Sequence, residues 1–123
     1  IGAIVGGAAE PDMEALSSRQ TETGPALLIG NTRTLSAGTA ALLNGTAGTT
    51  LEMDEGNQFC KGHPGIHTVP AELACVANTP VTGRQFLAAI AIGPLLIAAY
   101  WNAIPRSFNR FCFSVLIVLA SHL

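Results

Sequence analysis

From Ser36 to Leu51 the chain reads SAGTAALLNGTAGTTL, a run of small residues and leucines with no charge. Ala and Leu favour helix, and either Thr34 or Ser36 can cap its start. Asn44-Gly45 is a weak stop, because a glycine inside a helix costs only roughly 1 kcal/mol relative to Ala. Small side chains also let a neighbouring helix approach closely. The pattern therefore predicts one helix over about 36–54 with a packed small-residue face, ended by Gly56. On that helix Leu51 and Glu55 share a face, while Glu52 and Asp54 point in different directions.

The remaining chain is punctuated rather than periodic. Residues 1–9 read as a short apolar helix tail, closed by Gly6, Gly7 and the Glu10-Pro11 step. One or two helical turns follow over 13–19. A loop over 20–33 contains a short extended segment at 26–29. After a second loop at 56–67, Thr68 caps a helix over 69–76, with Pro70 in its first turn. Asn78-Thr79-Pro80 breaks it. Thr82-Gly83-Arg84-Gln85 has the spacing of a capping box and opens a helix reaching about Ile92.

Composition narrows the class. Charged residues are 11% of the 123-residue chain and hydrophobic ones 49%, against roughly 25% charged in a typical soluble domain. This predicts one helix-rich domain that buries most of its surface. All eight acidic residues lie at or before Glu72, and Arg84, Arg106 and Arg110 are the only formal charges after it. The net charge is −2, without a basic patch or an aromatic ladder, which argues against a nucleic-acid partner. Cys60, Cys75 and Cys112 form no CxxC pair, so a reducing, cytoplasmic setting is expected rather than a disulfide framework or structural zinc. Asn44-Gly45-Thr46 is formally a glycosylation sequon. The opening IGAIVGGAAEPD has no basic leader and reads as a helix entered midway, as in a fragment.

Two apolar runs, Phe86–Trp101 and Phe111–Leu123, flank Arg106 and Arg110. A bilayer span needs about 20 predominantly apolar residues. Both fall short, and Pro94 or Pro105 disturbs the first, so buried helices or an aberrant tail are favoured over a membrane hairpin. The alternative keeps residues 86–123 as the working part of a small membrane-associated or partner-binding protein.

Chemistry concentrates in Leu51–Pro70, LEMDEGNQFCKGHPGIHTVP. It carries Glu52, Asp54, Glu55, Lys61, His63, His67 and Cys60. His63, beside the rigid Pro64-Gly65, is the leading catalytic candidate. A carboxylate about ten residues earlier can bond one ring nitrogen and fix the tautomer, as a general acid/base requires. The plainer reading is a loop histidine bonded to the backbone. A rival chemistry is metal binding by His63 and His67 with Glu52 or Asp54, but Pro64 and Gly65 argue against a helix placing both rings on one face. Cys60 reads as an inert thiol.

Five stretches in order, Asn44-Gly45-Thr46-Ala47, Leu51-Glu52-Met53-Asp54-Glu55-Gly56, Gly62-His63-Pro64-Gly65, Val69-Pro70-Ala71 and Gly83-Arg84-Gln85-Phe86-Leu87-Ala88-Ala89-Ile90, resemble the MmgE/PrpD family. That family includes 2-methylcitrate dehydratase, cis-aconitate decarboxylase and iminodisuccinate epimerase. The resemblance covers residues 1–93 and leaves 94–123 as an apolar tail that does not align.

It implies an all-α fold, part of a large helical domain and lacking the family's smaller α/β domain. It also implies soluble, usually homodimeric enzymes acting on di- and tricarboxylates without a metal or other cofactor. The family's acid falls on Glu52 or Asp54 and its proton-shuttling histidine on His63. Lys61 and His67 are the neighbouring candidates for binding substrate. The lysine and tyrosine that later parts of the family's chain bring to the pocket have no counterpart here. Two or three substrate carboxylates need cationic partners, and Lys61 and Arg84 are a poor supply. The expectation is a fragment, inactive alone, whose tail stems from a frame disruption or a fusion.

Overall fold

A computed structural model of the chain describes residues 1–58 and 62–103, with the side chains of 100–103 left aside. In chain order the elements are α1 (Gly2–Ala8), α2 (Pro11–Ser18), β1 (Ala26–Leu27), β2 (Thr34–Leu35), α3 (Ala37–Thr49), α4 (Pro64–Val76) and α5 (Gly83–Ala103). Helix dominates, but the expectation of an all-α fold needs amending for the small antiparallel sheet.

The sheet follows from local turn chemistry. Gly30 takes φ +81°, open to a glycine without cost. The Asn31 side chain accepts the Arg33 amide at 3.0 Å, and Leu28 N–H donates to Arg33 O at 3.0 Å. This turn folds the extended segment back, pairing Ala26 with Leu35 and Leu27 with Thr34. Arg33 then donates to the carbonyls of Ser17, at 2.6 Å, and Gln20, tying the turn to the end of α2.

Helix α3 is the centre of the packing. Ser36 caps it, accepting from Thr39 N–H at 3.4 Å. The Ser36 hydroxyl also donates to Glu22, whose carboxyl is held below its ordinary value by hydrogen bonds from Thr39 and Ser36. Helix α3 packs against α1 and α4, and α4 in turn against α5. The small-residue face does what its composition predicts. A Cβ on Gly7 of α1 would lie 1.8 Å from the Ala47 carbonyl oxygen, so α1 reaches α3 only because residue 7 is glycine. Ile4, Leu35, Ala40, Leu43, Ala47 and Ile66 fill the core around this contact.

Asn44 is 1% exposed, and both ends of its side-chain amide are used. Oδ1 accepts from Ile29 N–H at 2.9 Å, and Nδ2 donates to Leu27 O at 3.0 Å. The motif Asn44-Gly45-Thr46-Ala47 therefore ties the sheet segment to the central helix. In the folded chain this asparagine is closed to glycosylation.

Three helix boundaries differ from those the sequence predicts. Helix α3 stops at Thr49 instead of continuing to 54, so Leu51 and Glu55 do not share a helical face. Helix α4 starts at Pro64, not at 69; Thr68 lies inside it, its hydroxyl donating to Pro64 O at 3.0 Å. Proline is well suited to a first helical position, which explains the earlier start. Buried Pro70 then falls inside the helix. Helix α5 opens on the predicted capping box: Gln85 N–H donates to the Thr82 hydroxyl at 3.3 Å, and Thr82 N–H donates to Gln85 Oε1 at 2.8 Å. It runs through Pro94 to Ala103, because one proline removes one backbone bond while Ala, Leu and Ile on either side favour helix.

Helix α5 meets α4 at Gly93, which faces Glu72 and Thr68, and leaves Leu87, Ile92, Leu95 and Leu96 exposed. Among the described residues no helix is long and apolar enough to cross a membrane. The second apolar run, Phe111–Leu123, lies outside the described residues, as do Cys60 and Lys61.

Candidate active site

The chain between α3 and α4 builds the site. After Thr50 it turns at Glu52, which takes φ +52°, a left-handed conformation costing a non-glycine residue roughly 1–2 kcal/mol. Asp54 and Glu55 follow. Asn57 and Gly62 then form an isolated antiparallel bridge, with Asn57 N–H donating to Gly62 O at 2.9 Å. That bridge delivers His63 to the N-cap of α4.

There His63 Nδ1 lies 2.6 Å from the Glu55 carbonyl oxygen and 3.1 Å from Asp54 Oδ2. A carbonyl only accepts, so Nδ1 carries the hydrogen. In the neutral ring Nε2 is then the basic nitrogen. The hydrogen bond goes to Glu55 O. Asp54 Oδ2 is in ion-pair reach of the same nitrogen, yet it is buried and accepts no hydrogen bond. The Asp54 side chain is 3% exposed and that of His63 47%. A buried carboxylate thus backs an accessible imidazole, facing the charge that the ring gains when Nε2 takes up a proton. The open side is a depression of about 380 Å³ lined by Gly56, Asn57, Gln58, Gly62 and His63.

Of the residues that sequence reasoning selects, the fold brings Asp54 to His63. Glu52 stands exposed at the strained turn instead. His67 lies on the first turns of α4, half-buried, at the helical spacing from His63 that Pro64-Gly65 was expected to prevent. Burial pushes its pKa below the ordinary 6.5, His63 adds to the shift and Asp54 opposes it, so His67 is a neutral ring near pH 7. Among the described residues no group of three or more His, Cys, Asp or Glu is placed to hold a metal.

Two carboxylates have partners or surroundings that the sequence reading does not assign: Glu55, which it counts only as part of the acidic cluster, and Glu72. The side chain of Glu55 accepts a hydrogen bond from Gly65 N–H. Its signal was Gly65 itself, where a Cβ would come within 2.9 Å of that carboxyl carbon. Glu72 projects from α4 towards α5, has one buried oxygen without a hydrogen bond, and is pushed above the ordinary carboxyl value by burial. Nothing in its neighbourhood of Ala, Leu and Cys marked it.

The fold is that of a mostly helical domain that sets an accessible histidine at a helix start. The family model for the MmgE/PrpD N-terminal domain matches residues 1–100, and the chain belongs to that family. Neither curated proteins nor solved structures give a match to the chain.

Proposed function

We propose that this chain carries the histidine half of an MmgE/PrpD-type active site acting on small di- or tricarboxylates by proton transfer. The reaction is then a lyase, hydro-lyase or epimerase step. The observation that carries this reading is His63 Nδ1 held between Glu55 O and Asp54 Oδ2, with Nε2 left as the base. Nε2 removes a proton from a carbon next to a carboxylate, or returns one to a leaving group. Asp54 balances the imidazolium. Glu52, at the strained turn, is the second candidate acid. Lys61 and neutral His67 serve as binding groups for the substrate. No metal or cofactor enters the scheme.

Arg84 and Lys61 are too few to neutralise two or three carboxylates, so the chain alone is expected to be inactive and the complete pocket needs further cationic residues. A homodimer in the cytoplasm is the expected setting. The alternative, in which residues 86–123 work at a membrane, is not favoured, because no described helix is long and apolar enough to cross one.

The test is a chimera in which residues 1–100 replace the equivalent N-terminal part of an active family enzyme. Retained dehydration of 2-methylcitrate or decarboxylation of cis-aconitate, abolished by His63→Ala, supports the reading. Equal activity with and without His63 sinks it. Enzyme-like turnover by the isolated chain would refute its incompetence.

A further inference from the structure

We propose that Glu55 is the positioning residue of this site: its carboxylate anchors the 54–55 segment to the start of α4 and thereby sets the Nδ1–H tautomer of His63. The inference deepens the reading of His63 as an acid/base and rests on it for its functional meaning, but not for its test.

Glu55 grips the helix start at two points on either side of Pro64. Its main-chain oxygen accepts from His63 Nδ1 at 2.6 Å, and its side chain accepts from Gly65 N–H. Pro64 has no N–H, so Gly65 supplies the first amide of the helix that needs a partner. An N-cap side chain ordinarily satisfies such an amide. His63 makes no capping bond, because its ring is turned to Glu55 and Asp54. Glu55, ten residues before Gly65, caps the helix in its place.

The seat exists because residue 65 has no side chain: a Cβ there would stand 2.9 Å from the Glu55 carboxyl carbon and 3.0 Å from each oxygen. The two oxygens at Nδ1, the bonded Glu55 carbonyl and the neighbouring Asp54 carboxylate, come from adjacent residues on the stretch of chain that this bond holds. Without the anchor, the Glu55 carbonyl and the Asp54 carboxylate lose their common position, and the ring is free to exchange tautomers. Asp54 acts on the charge of the ring; Glu55 decides where both oxygens stand.

The test reads the His63 ring nitrogens by ¹⁵N NMR in the full chain, above the histidine titration, with assignment by loss of the signal in His63→Gln. The wild type is expected to show a dominant Nδ1–H form. Glu55→Ala and Gly65→Ala shift the pair of nitrogen signals towards a mixture. Glu55→Gln keeps an acceptor for Gly65 N–H and retains the wild-type pattern, as does Asp54→Asn, in which Glu55 O still takes the proton.

A folded Glu55→Ala or Gly65→Ala with an unchanged Nδ1–H pattern overturns the proposal, and so does a mixed pattern in Glu55→Gln. Should both alanine variants unfold, the wild-type chain decides. A scalar coupling across the hydrogen bond, from the Gly65 amide nitrogen to the Glu55 side-chain carboxyl carbon, must be present, and its absence overturns the proposal. None of these readouts needs substrate. An inactive chimera with an intact tautomer therefore counts against the proposed function alone, and an active one with a mixed tautomer against the positioning role alone.

Discussion

Asp54 Oδ2 lies 3.1 Å from His63 Nδ1 and, although buried, takes no hydrogen bond, since the Nδ1 proton is directed at the neighbouring carbonyl. Unpaired buried oxygens are rare and call for an explanation. On the proposed function, this oxygen faces a charge that exists only while Nε2 holds a proton. General acid–base groups contribute about 10²–10⁴-fold to rate. In the active chimera His63→Ala is expected to lower kcat by that order. Asp54→Asn, which keeps shape and removes charge, is expected to cost less, with KM little changed. Steady-state kinetics check both, and an Asp54→Asn enzyme with unaltered kcat would remove the carboxylate from the mechanism.

Glu52 holds a left-handed backbone at φ +52° with its side chain in solvent. Glycine adopts that conformation without a Cβ clash, though it gives up more freedom on folding. Glu52→Gly is therefore expected to raise stability by about 0.5–1 kcal/mol. If Glu52 serves the substrate, the same variant loses activity in the chimera. A urea midpoint measured beside the rate separates the two effects, and a stability loss would show that the turn is not strained.

Asn44 joins α3 to the sheet through Ile29 N–H and Leu27 O. Removing its amide leaves those part-buried backbone groups without this partner, at no more than about 1–3 kcal/mol each. Asn44→Ala should lower the urea midpoint accordingly. Asn44→Asp should be no better, since it keeps the acceptor for Ile29 but sets an oxygen against Leu27 O. An aspartate variant as stable as wild type would mean that the second bond contributes nothing.

Glu72 and His67 give opposite pH dependences on one helix. Burial raises the Glu72 carboxyl above its ordinary 4.5, so the folded form binds the proton more readily than the unfolded chain. Its contribution is present below about 4.5 and is lost as pH rises through the folded value. Glu72→Gln is expected to be more stable than wild type at pH 7, with the advantage fading in acid. His67 is lowered from 6.5 by burial, then by His63, against Asp54, so its contribution is present above 6.5 and falls away in acid below it. His67→Gln should flatten that acid-side loss. Urea midpoints from pH 4 to pH 8 check both slopes, and a Glu72→Gln curve parallel to wild type would contradict the first.

Much of this was legible in the chain because it rests on local chemistry. Ser36 and the Thr82–Gln85 box cap their helices by side-chain bonds that spacing alone reveals. The small-residue face around Ala47 required close neighbours, and α1 supplies one. The pairing of β1 with β2 was not visible, since two-residue strands have no periodicity to read. The start of α4 was misplaced because a proline reads equally as loop and as first helical residue. The choice of Asp54 over Glu52 as the acid beside His63 depends on a backbone turn at Glu52 that no residue type there announces. Glu55 was obscured for a related reason: its partner is a main-chain amide, which leaves no mark in the sequence except the glycine that makes room.

The span from Asp54 to Gly65 is short, and nearly all the geometry at His63 closes within it. Loops of about ten residues close in roughly 10–100 ns, and lengthening them twofold adds only about 0.6 kcal/mol of closure entropy. The histidine arrangement is thus a low-contact-order unit, able to assemble as soon as α4 nucleates and long before distant parts of a chain must find one another. Early formation is therefore the expected outcome, and labelled exchange at Gly62 and Gly65, compared with that of the amides where α1 packs on α3, checks it.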